Sequence, residues 1–353
     1  MTSLAAAMPL WRAGVVESGK RVKPRRTPGS NRPQGNRAPR RRRTVHPGSR
    51  SSAWHLYARL FGADLMAEAP NVSASSTSPV DRYATVNGLR IHFVDWAQPG
   101  SENTPPLILL HGIGRLARSF DPIAPHFVDR YRVIAMDMRG HGESAWHSQA
   151  AYLVEDYVQD LEGLVEQLGL RDIVLWGNST GGRVAQVFAG THPSLTKAVI
   201  VEDVGPERPK EISAGRSTRM AREQQGWASV EALLAQLKSD YPRIPESTLR
   251  LIATHNSKPR ADGRIVLKRD PDIEKGFVPT EIWRFVKTIR APIIYILGGA
   301  STIVPAETQE ELRRVLPQVQ IVTMPGLGHY PNEEDREGFA AIVDRFLAAL
   351  PSR

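Results

Sequence analysis

The chain is 353 residues long, 41% of them hydrophobic, with a formal net charge of +9. This length predicts either one large domain with an insertion or two domains. None of the apolar runs approaches the about 18 residues that a membrane-spanning helix needs, which excludes a spanning protein. The absence of cysteine excludes disulfide scaffolds, thiolate metal sites and a cysteine nucleophile.

The positive charge belongs to the N-terminal segment. Residues 1–65 contain 14 Lys and Arg against 2 acids, whereas the rest of the chain has a net charge of −3. Low apolar content and the run Arg40–Arg43 predict that residues 1–80 form a disordered basic leader. This leader resembles an organellar transit peptide or a nucleic-acid contact; alternatively, Met66 is the true start of a cytoplasmic enzyme. We expect no nucleic acid to bind the folded domain.

After this leader, short apolar runs alternate along the chain with stretches that have the periodicity of an amphipathic helix. The first element is a hairpin, because Asn87 and Gly88 suit the two positive-φ positions of a type I′ turn. Continuous apolar runs, typical of strands buried on both faces, follow at 107–110, 133–136, 173–176, 198–201, 293–297 and 319–323. Helical periods lie at 154–168, 184–188 and 339–346. The alternation predicts an α/β fold with a mostly parallel, doubly wound sheet and helices on both faces.

Residues 207–288 break this alternation. They carry helical periods near 230–237 and 247–254 and no clear buried strand, so we interpret them as an inserted helical cap. The α/β core then consists of residues 81–206 and 289–353.

A glycine-rich motif follows the predicted strand at 173–176 and precedes a predicted helix. Its sequence, Gly-Asn-Ser-Thr-Gly-Gly, is a G-x-S-x-G pattern in the strand–turn–helix context of a nucleophile elbow. Flanking glycines permit a tight turn that exposes the serine hydroxyl at a helix N-terminus. Ser179 is therefore the predicted nucleophile, and the alternative is a Gly-rich turn with an incidental serine.

A serine hydroxyl needs a base at the same edge of the sheet. His329 follows the last predicted strand and precedes the last helix, which places it at the carboxyl edge of the strands, and it is the predicted base. His111 and His141 lie in other loops at this edge. Their HGIG and RGHGES surroundings favour loop shaping over proton transfer.

The acid that would fix the tautomer of the base is absent from its usual place. The loop after the strand at 293–297 carries Ser301, and Glu307 further on begins a helix. Asp203 ends the preceding strand at the same edge and is the predicted triad acid; the alternative is an aspartate that only caps a turn. Glu202 points to the opposite side if the strand is regular.

Acyl transfer also needs two N–H donors for the developing oxyanion. We assign them to the backbone N–H groups of Thr180, at the start of the elbow helix, and Ile113, in the HGIG turn. Arg115 and Arg118 follow this turn and are candidate contacts for a substrate carboxylate, although a solvated loop explains them as well. Trp227, in the predicted cap, is a candidate pocket residue or a packing residue.

The motifs HGIG, DMRGHGES, GNSTGG and GLGH, in this order, resemble those of the α/β-hydrolase superfamily. The resemblance implies an α/β-hydrolase fold with an eight-stranded, mostly parallel sheet and a lid after the sixth strand. It also implies the roles assigned above to Ser179, His329, Ile113 and Thr180. Members with aspartate at the elbow, the haloalkane dehalogenases and epoxide hydrolases, match poorly. Some members carry the triad acid after the sixth strand, where Asp203 lies.

These residues predict a serine hydrolase without metal or cofactor that cleaves a small carboxylic ester, lactone or activated amide through an acyl-enzyme. Its partner is a small-molecule acyl substrate. The alternatives are a carbon–carbon bond hydrolase of the same fold and a hydrolase-fold binding protein with weak catalysis. The pattern Gly112-x-Gly114-x-x-Ala117 also resembles a dinucleotide-binding turn, but His111 before it and the lack of a long helix after it argue against NAD.

Overall fold

A computed structural model describes residues 78–97, 104–207, 216–273 and 281–351. The predicted basic leader, residues 1–80, lies almost entirely outside the described residues. The described part of the chain forms an eight-stranded sheet and a separate two-stranded sheet. None of its helices is both long and apolar enough to cross a bilayer.

The main sheet begins with the predicted hairpin. β1 (Val80–Val86) and β2 (Leu89–Asp95) pair antiparallel, and Asn87 and Gly88 between them have φ values of 51° and 76°. The strands that follow are β3 (Pro106–Leu110), β4 (Arg132–Met136), β5 (Ile173–Asn178), β6 (Thr196–Glu202), β7 (Ser257–Pro259), β8 (Ile265–Leu267), β9 (Ile293–Gly298) and β10 (Val319–Met324).

The strand order of the main sheet is β1-β2-β4-β3-β5-β6-β9-β10. β2 pairs antiparallel with β4, and every pair from β4 to β10 is parallel. The predicted eight-stranded, mostly parallel sheet is therefore confirmed. Because parallel strands end at the same edge, the loops after β3, β5, β6, β9 and β10 lie side by side.

The α-helices of the described residues are α1 (Val154–Gln167), α2 (Thr180–Thr191), α3 (Arg216–Gln225), α4 (Val230–Asp240), α5 (Glu246–His255), α6 (Trp283–Val286), α7 (Ala306–Val315), α8 (Pro331–Glu334) and α9 (Arg336–Ala348). Two short 3-10 helices, Ala117–Phe120 and Ala124–His126, lie between β3 and β4. Both faces of the sheet are covered, because alternate residues of one strand enter different cores. In β3, Ile108 belongs to the buried cluster that contains side chains of α1 and α2, whereas Leu109 belongs to the cluster that contains side chains of α9. On the α9 side, the Trp176 ring stacks on Phe339 at a centroid distance of 4.8 Å. β5, which leads to the Ser179 turn, is thus buried from both sides.

The described part of residues 207–288 contributes α3 to α6 and the β7–β8 pair, and no strand of the main sheet. Its apolar side chains form a small cluster of their own, which includes Trp227, Leu233 and Leu249. Tyr330, from the loop after β10, joins this cluster. The inserted segment is therefore attached to the loop that carries His329.

A buried ion pair joins α1 to the loop after β4. Arg139 donates through Nε and Nη2 to the two carboxylate oxygens of Asp160, both at 2.6 Å. Asp160→Asn removes the nearest counter-charge of the buried guanidinium and leaves only Asp156 Oδ1, 3.8 Å from Nη1, so we expect the free energy of unfolding to fall by about 3 kcal/mol.

Urea unfolding followed by circular dichroism measures this loss. Asp344→Asn serves as the control, because Asp344 holds Arg130 and His126 at the surface, and its loss should stay below about 1 kcal/mol. Equal losses in the two variants would contradict the prediction.

Candidate active site

The turn between β5 and α2 has the geometry of a strained elbow. Ser179 has φ 52° and ψ −119°, in the left-handed half of conformational space that non-glycine residues rarely adopt. A Cβ on Gly177 would lie 2.2 Å from the backbone oxygen of Gly181, and a Cβ on Gly181 would lie 2.1 Å from that of Leu110. The two flanking glycines of the motif are therefore required by close backbone contacts.

His329 and Asp203 come together at the edge of the sheet. His329 Nδ1 lies 2.7 Å from Asp203 Oδ2, and Asp203 is 1% exposed. The other carboxylate oxygen, Oδ1, accepts the backbone N–H of Gly298 at 3.0 Å, and Oδ2 also accepts the Ser301 hydroxyl at 2.6 Å. Asp203 has φ 46°, a second strained residue at this edge. The carboxylate is thus oriented by three donors, and the neutral imidazole would carry its proton on Nδ1.

The His329 loop is tied directly to the elbow. Asn178, the residue before Ser179, donates from Nδ2 to the backbone oxygen of His329 at 3.2 Å. On the neighbouring strand, the backbone oxygen of Glu202 accepts the N–H of Ser179 at 3.1 Å. The structure therefore brings the predicted nucleophile, base and acid to one place; their catalytic roles stay predictions.

Glu202 is the last residue of β6, and its side chain has other partners than Asp203, which lies after the strand. Its carboxyl group is fully buried and accepts hydrogen bonds from Trp176 Nε1 at 3.0 Å and from the backbone and side-chain nitrogens of Asn332 at 3.0 and 2.9 Å. Burial disfavours the ionised carboxylate more strongly than these hydrogen bonds favour it. Burial therefore raises the pKa of Glu202 to about 8. Glu202 therefore links β6 to α8 rather than contacting His329.

The HGIG turn lies against the elbow. A Cβ on Gly112 would lie 2.9 Å from Ser179 Cβ, so glycine is needed where the two segments touch. The backbone N–H of Arg115 closes the turn on the Gly112 oxygen at 3.0 Å, and Gly114 has φ 86°. Ile113 is thus held at the turn beside Ser179, and Thr180 is the first residue of α2. This placement agrees with the predicted oxyanion donors, whose role stays a prediction.

The other two histidines of this edge hold loops together. His111 bonds through Nδ1 to the Gly112 oxygen at 2.9 Å and through Nε2 to the Met138 N–H at 3.1 Å. His141 bonds through Nδ1 to the Arg139 oxygen at 3.1 Å. Burial lowers the pKa of both imidazoles. Both are therefore neutral at pH 7, and their contacts fit the loop-shaping interpretation.

The candidate substrate contacts have different surroundings. Arg115 is 3% exposed and pairs with Glu333, whereas Arg118 pairs with Asp81 and Asp121 near the start of β1. Trp227 is 9% exposed and lines a small cavity of about 40 Å³. Other side chains around this cavity come from the HGIG turn and the inserted segment, among them Ile113, Arg115, Leu233, Leu237, Tyr241, Ile252 and Leu267. The structure thus brings Trp227 and Arg115 to the cavity beside Ile113 and leaves Arg118 outside its lining.

Two polar contacts of the site are not signalled by sequence patterns. Ser301 donates to Asp203, and Glu333 binds Arg115, although each pair is far apart along the chain. Only the absence of an acid at Ser301 indicated that this position was unusual. Among the described residues, no group of three or more His, Asp or Glu side chains is arranged to hold a metal ion.

Comparison with known families agrees with this architecture. A family model described as the alpha/beta hydrolase fold matches residues 105–336, well over half of the chain. The chain belongs to this family. The predicted superfamily and fold are therefore confirmed, and the family supports a hydrolytic activity.

Individual relatives are distant. The chain is 27% identical over 252 residues to a 2-(acetamidomethylene)succinate hydrolase of Mesorhizobium japonicum, covering 69% of this chain and 88% of that protein. It is 29% identical over 276 residues to the sn-1-specific diacylglycerol lipase ABHD11 of Mus musculus, covering 70% and 83%. The crystal structure of E-2-(acetamidomethylene)succinate hydrolase superposes with a TM-score of 0.69 at 25% identity, covering 77% of this chain and 100% of that one.

Glu202 makes stability depend on pH. Burial raises its pKa from 4.5 to about 8, so between these values the native protein retains a proton that the unfolded chain releases. The contribution of Glu202 to the free energy of unfolding is therefore complete at low pH and decreases as pH rises, by at most about 1.4 kcal/mol per pH unit.

Urea unfolding of the protein and of Glu202→Gln across this pH range measures the effect. The variant should show the shallower decline, and the comparison removes the contributions of other titrating groups. Parallel pH profiles for the two proteins would show that Glu202 is ionised in the native state, contrary to the prediction.

Proposed function

We propose that the chain is a serine hydrolase that cleaves a small carboxylic ester, lactone or activated amide through an acyl-enzyme. The observation that carries the proposal is the 2.7 Å contact between His329 Nδ1 and Asp203 Oδ2 beside the strained turn at Ser179. An imidazole held through Nδ1 presents Nε2 as a proton acceptor, which a serine nucleophile requires. Membership of a hydrolase family supports this chemistry.

In the proposed reaction, Ser179 Oγ attacks the acyl carbon while His329 Nε2 accepts the hydroxyl proton. Asp203 stabilises the imidazolium that forms. The carbonyl oxygen becomes negative and accepts hydrogen bonds from the backbone N–H groups of Ile113 and Thr180. When the intermediate collapses, the leaving group takes the proton from His329. Water then attacks the acyl-enzyme by the reverse sequence and releases the acid.

The inserted segment, residues 207–288, is proposed to act as the cap that selects the substrate. The small cavity that this segment lines together with Ile113, about 40 Å³ in volume, has mainly apolar walls that include Trp227, which supports a small acyl group as the ligand. One relative is a hydrolase of an acetamido compound and another is a diacylglycerol lipase, so both amides and esters stay within the proposed class. Contacts of Arg115 and Arg118 with a substrate stay predictions. Each of these arginines already binds a carboxylate of the protein, with which a substrate anion would have to compete.

Fluorophosphonate labelling of the full-length chain tests the nucleophile without knowledge of the substrate. Intact mass should show one adduct, and peptide mapping should locate it on Ser179, because only an activated serine reacts rapidly. His329→Ala should slow labelling by at least about 100-fold, since it removes the base.

The matched control is His126→Ala, which removes a surface histidine that pairs with Asp344 and should label at the normal rate. A folded protein without an adduct on Ser179 would reject the proposal and favour the weakly catalytic binding protein. An adduct formed equally fast in His329→Ala would reject His329 as the base.

Replacing the proposed acid tests the third member of the triad. Asp203→Asn should lower the turnover of p-nitrophenyl acetate by up to about 10⁴-fold, because the amide no longer holds the imidazole in the required tautomer. Ser301→Ala removes one of the donors to Asp203 and should lower turnover by only about tenfold or less. Steady-state kinetics measures the turnover of both variants, and circular dichroism checks that they are folded. Near-normal turnover of Asp203→Asn would reject Asp203 as the acid.

A further inference from the structure

Arg115 forms a buried, bidentate ion pair with Glu333. Its Nε donates to Oε1 at 2.9 Å and its Nη2 donates to Oε2 at 3.0 Å, and the two side chains are only 3% and 4% exposed. Burial disfavours the charged guanidinium, but the charge and hydrogen bonds of Glu333 together with the neighbouring Tyr330 and Tyr241 outweigh burial and raise the pKa of Arg115. The guanidinium is therefore charged, and its forked geometry with Glu333 fixes the guanidinium plane.

Two tyrosine rings pack against the same guanidinium. Arg115 Cζ lies 3.9 Å from the ring centroid of Tyr330 and 4.6 Å from that of Tyr241, within the range of cation–π attraction. The two rings meet edge to face at a centroid distance of 5.4 Å. The guanidinium is thus held both by its charge partner and by the rings.

These contacts join separate parts of the proposed active site. The backbone N–H of Arg115 closes the turn that contains Ile113. Tyr330 and Glu333 follow His329 by one and four residues. The second tyrosine comes from the inserted segment, directly after α4. One side chain therefore connects the turn of the proposed oxyanion donor, the loop of the proposed base and the proposed cap.

We propose that Arg115 is a positioning residue that sets the location of the Ile113 N–H relative to His329, with Glu333 as its anchor. The inference rests on the proposed function, because it concerns the geometry of the same site. A misplacement of about 1 Å in an active site lowers the rate by about 100-fold. The binding of a neutral substrate in the ground state changes much less, because the oxyanion contact strengthens only as the negative charge develops.

This role differs from the binding of a substrate carboxylate, which the sequence also allowed for Arg115. A binding role raises KM for anionic substrates alone, whereas a positioning role lowers kcat for neutral and anionic substrates alike. The division of the effect between KM and kcat therefore separates the two.

The test compares Arg115→Lys with the original protein on p-nitrophenyl acetate and on the anionic 4-nitrophenyl hydrogen succinate. Lysine keeps the charge and loses the fork. We expect kcat to fall by about tenfold or more on both esters, with KM changed by less than about threefold. An unchanged kcat, or a rise in KM on the succinate alone, would overturn the inference.

Arg139→Lys is the matched control, because Arg139 also forms a buried, bidentate pair, with Asp160, outside the site. It should lower the melting temperature to a similar extent and change kcat by less than about twofold. An equal loss of kcat in Arg139→Lys and Arg115→Lys would show that general loosening of the fold explains the effect, and would overturn the inference.

Glu333→Gln gives a second measurement that does not depend on the folding of Arg115→Lys. The amide keeps the size of the carboxylate and loses its charge, so kcat should fall by about fivefold or more without a matching rise in KM. An unchanged kcat in this variant would also overturn the inference.

Fluorophosphonate labelling of the original protein keeps the two proposals distinguishable. A lack of labelling at Ser179 rejects the proposed function itself. Rapid labelling of Ser179 together with normal kinetics in Arg115→Lys rejects only the positioning role.

Discussion

The site depends on how closely the turn after β5 passes the end of β3. The backbones are near enough that a Cβ on Gly181 would lie 2.1 Å from the Leu110 oxygen, so α2 can begin there only if that residue is glycine. The same crossing leaves Ser179 at φ 52°, a strained conformation that the surroundings must hold. They do so because β5 is buried on both faces and because the Ser179 N–H is bound by the backbone of β6. Everything else at the site is arranged around this fixed turn.

The position of the proposed triad acid follows from the geometry of parallel strands. β6 and β9 are neighbours and end at the same edge, so an acid after either strand can approach the loop after β10. Here the carboxylate is Asp203, after β6, and the loop after β9 supplies donors instead, the Gly298 N–H and the Ser301 hydroxyl. Ser301 therefore does not replace the carboxylate of Asp203 but donates a hydrogen bond to it. Its contact leaves one Asp203 oxygen shared between Ser301 and His329.

The cavity beside Ile113 has its positive charges neutralised within the protein. Each arginine of its lining pairs with a carboxylate, in the pairs Arg115–Glu333, Arg222–Asp240 and Arg269–Glu223. A substrate anion would have to compete with these carboxylates for the arginines. Separating an arginine from its carboxylate in a partly buried place costs free energy. Arg115–Glu333 instead connects the HGIG turn to α8, and the other two pairs lie within the inserted segment, which is the arrangement expected if they fix the walls of the cavity.

Local sequence determined the elements and the candidate residues that they carry. Apolar runs, helical periods, the Asn87–Gly88 turn and the spacing of glycines around Ser179 each depend on a few neighbouring residues, and they predicted the sheet, its helices and the elbow. The edge of the sheet at which His329 and Asp203 lie was also predictable, because it follows from the order of strands and loops. Tertiary structure decided which side chains meet at that edge. The Ser301 contact with Asp203 and the pairing of Arg115 with Glu333 join residues 98 and 218 positions apart, so no local pattern encodes them. Only the packing of the segments that follow β3, β6, β9 and β10 brings these side chains within hydrogen-bonding distance.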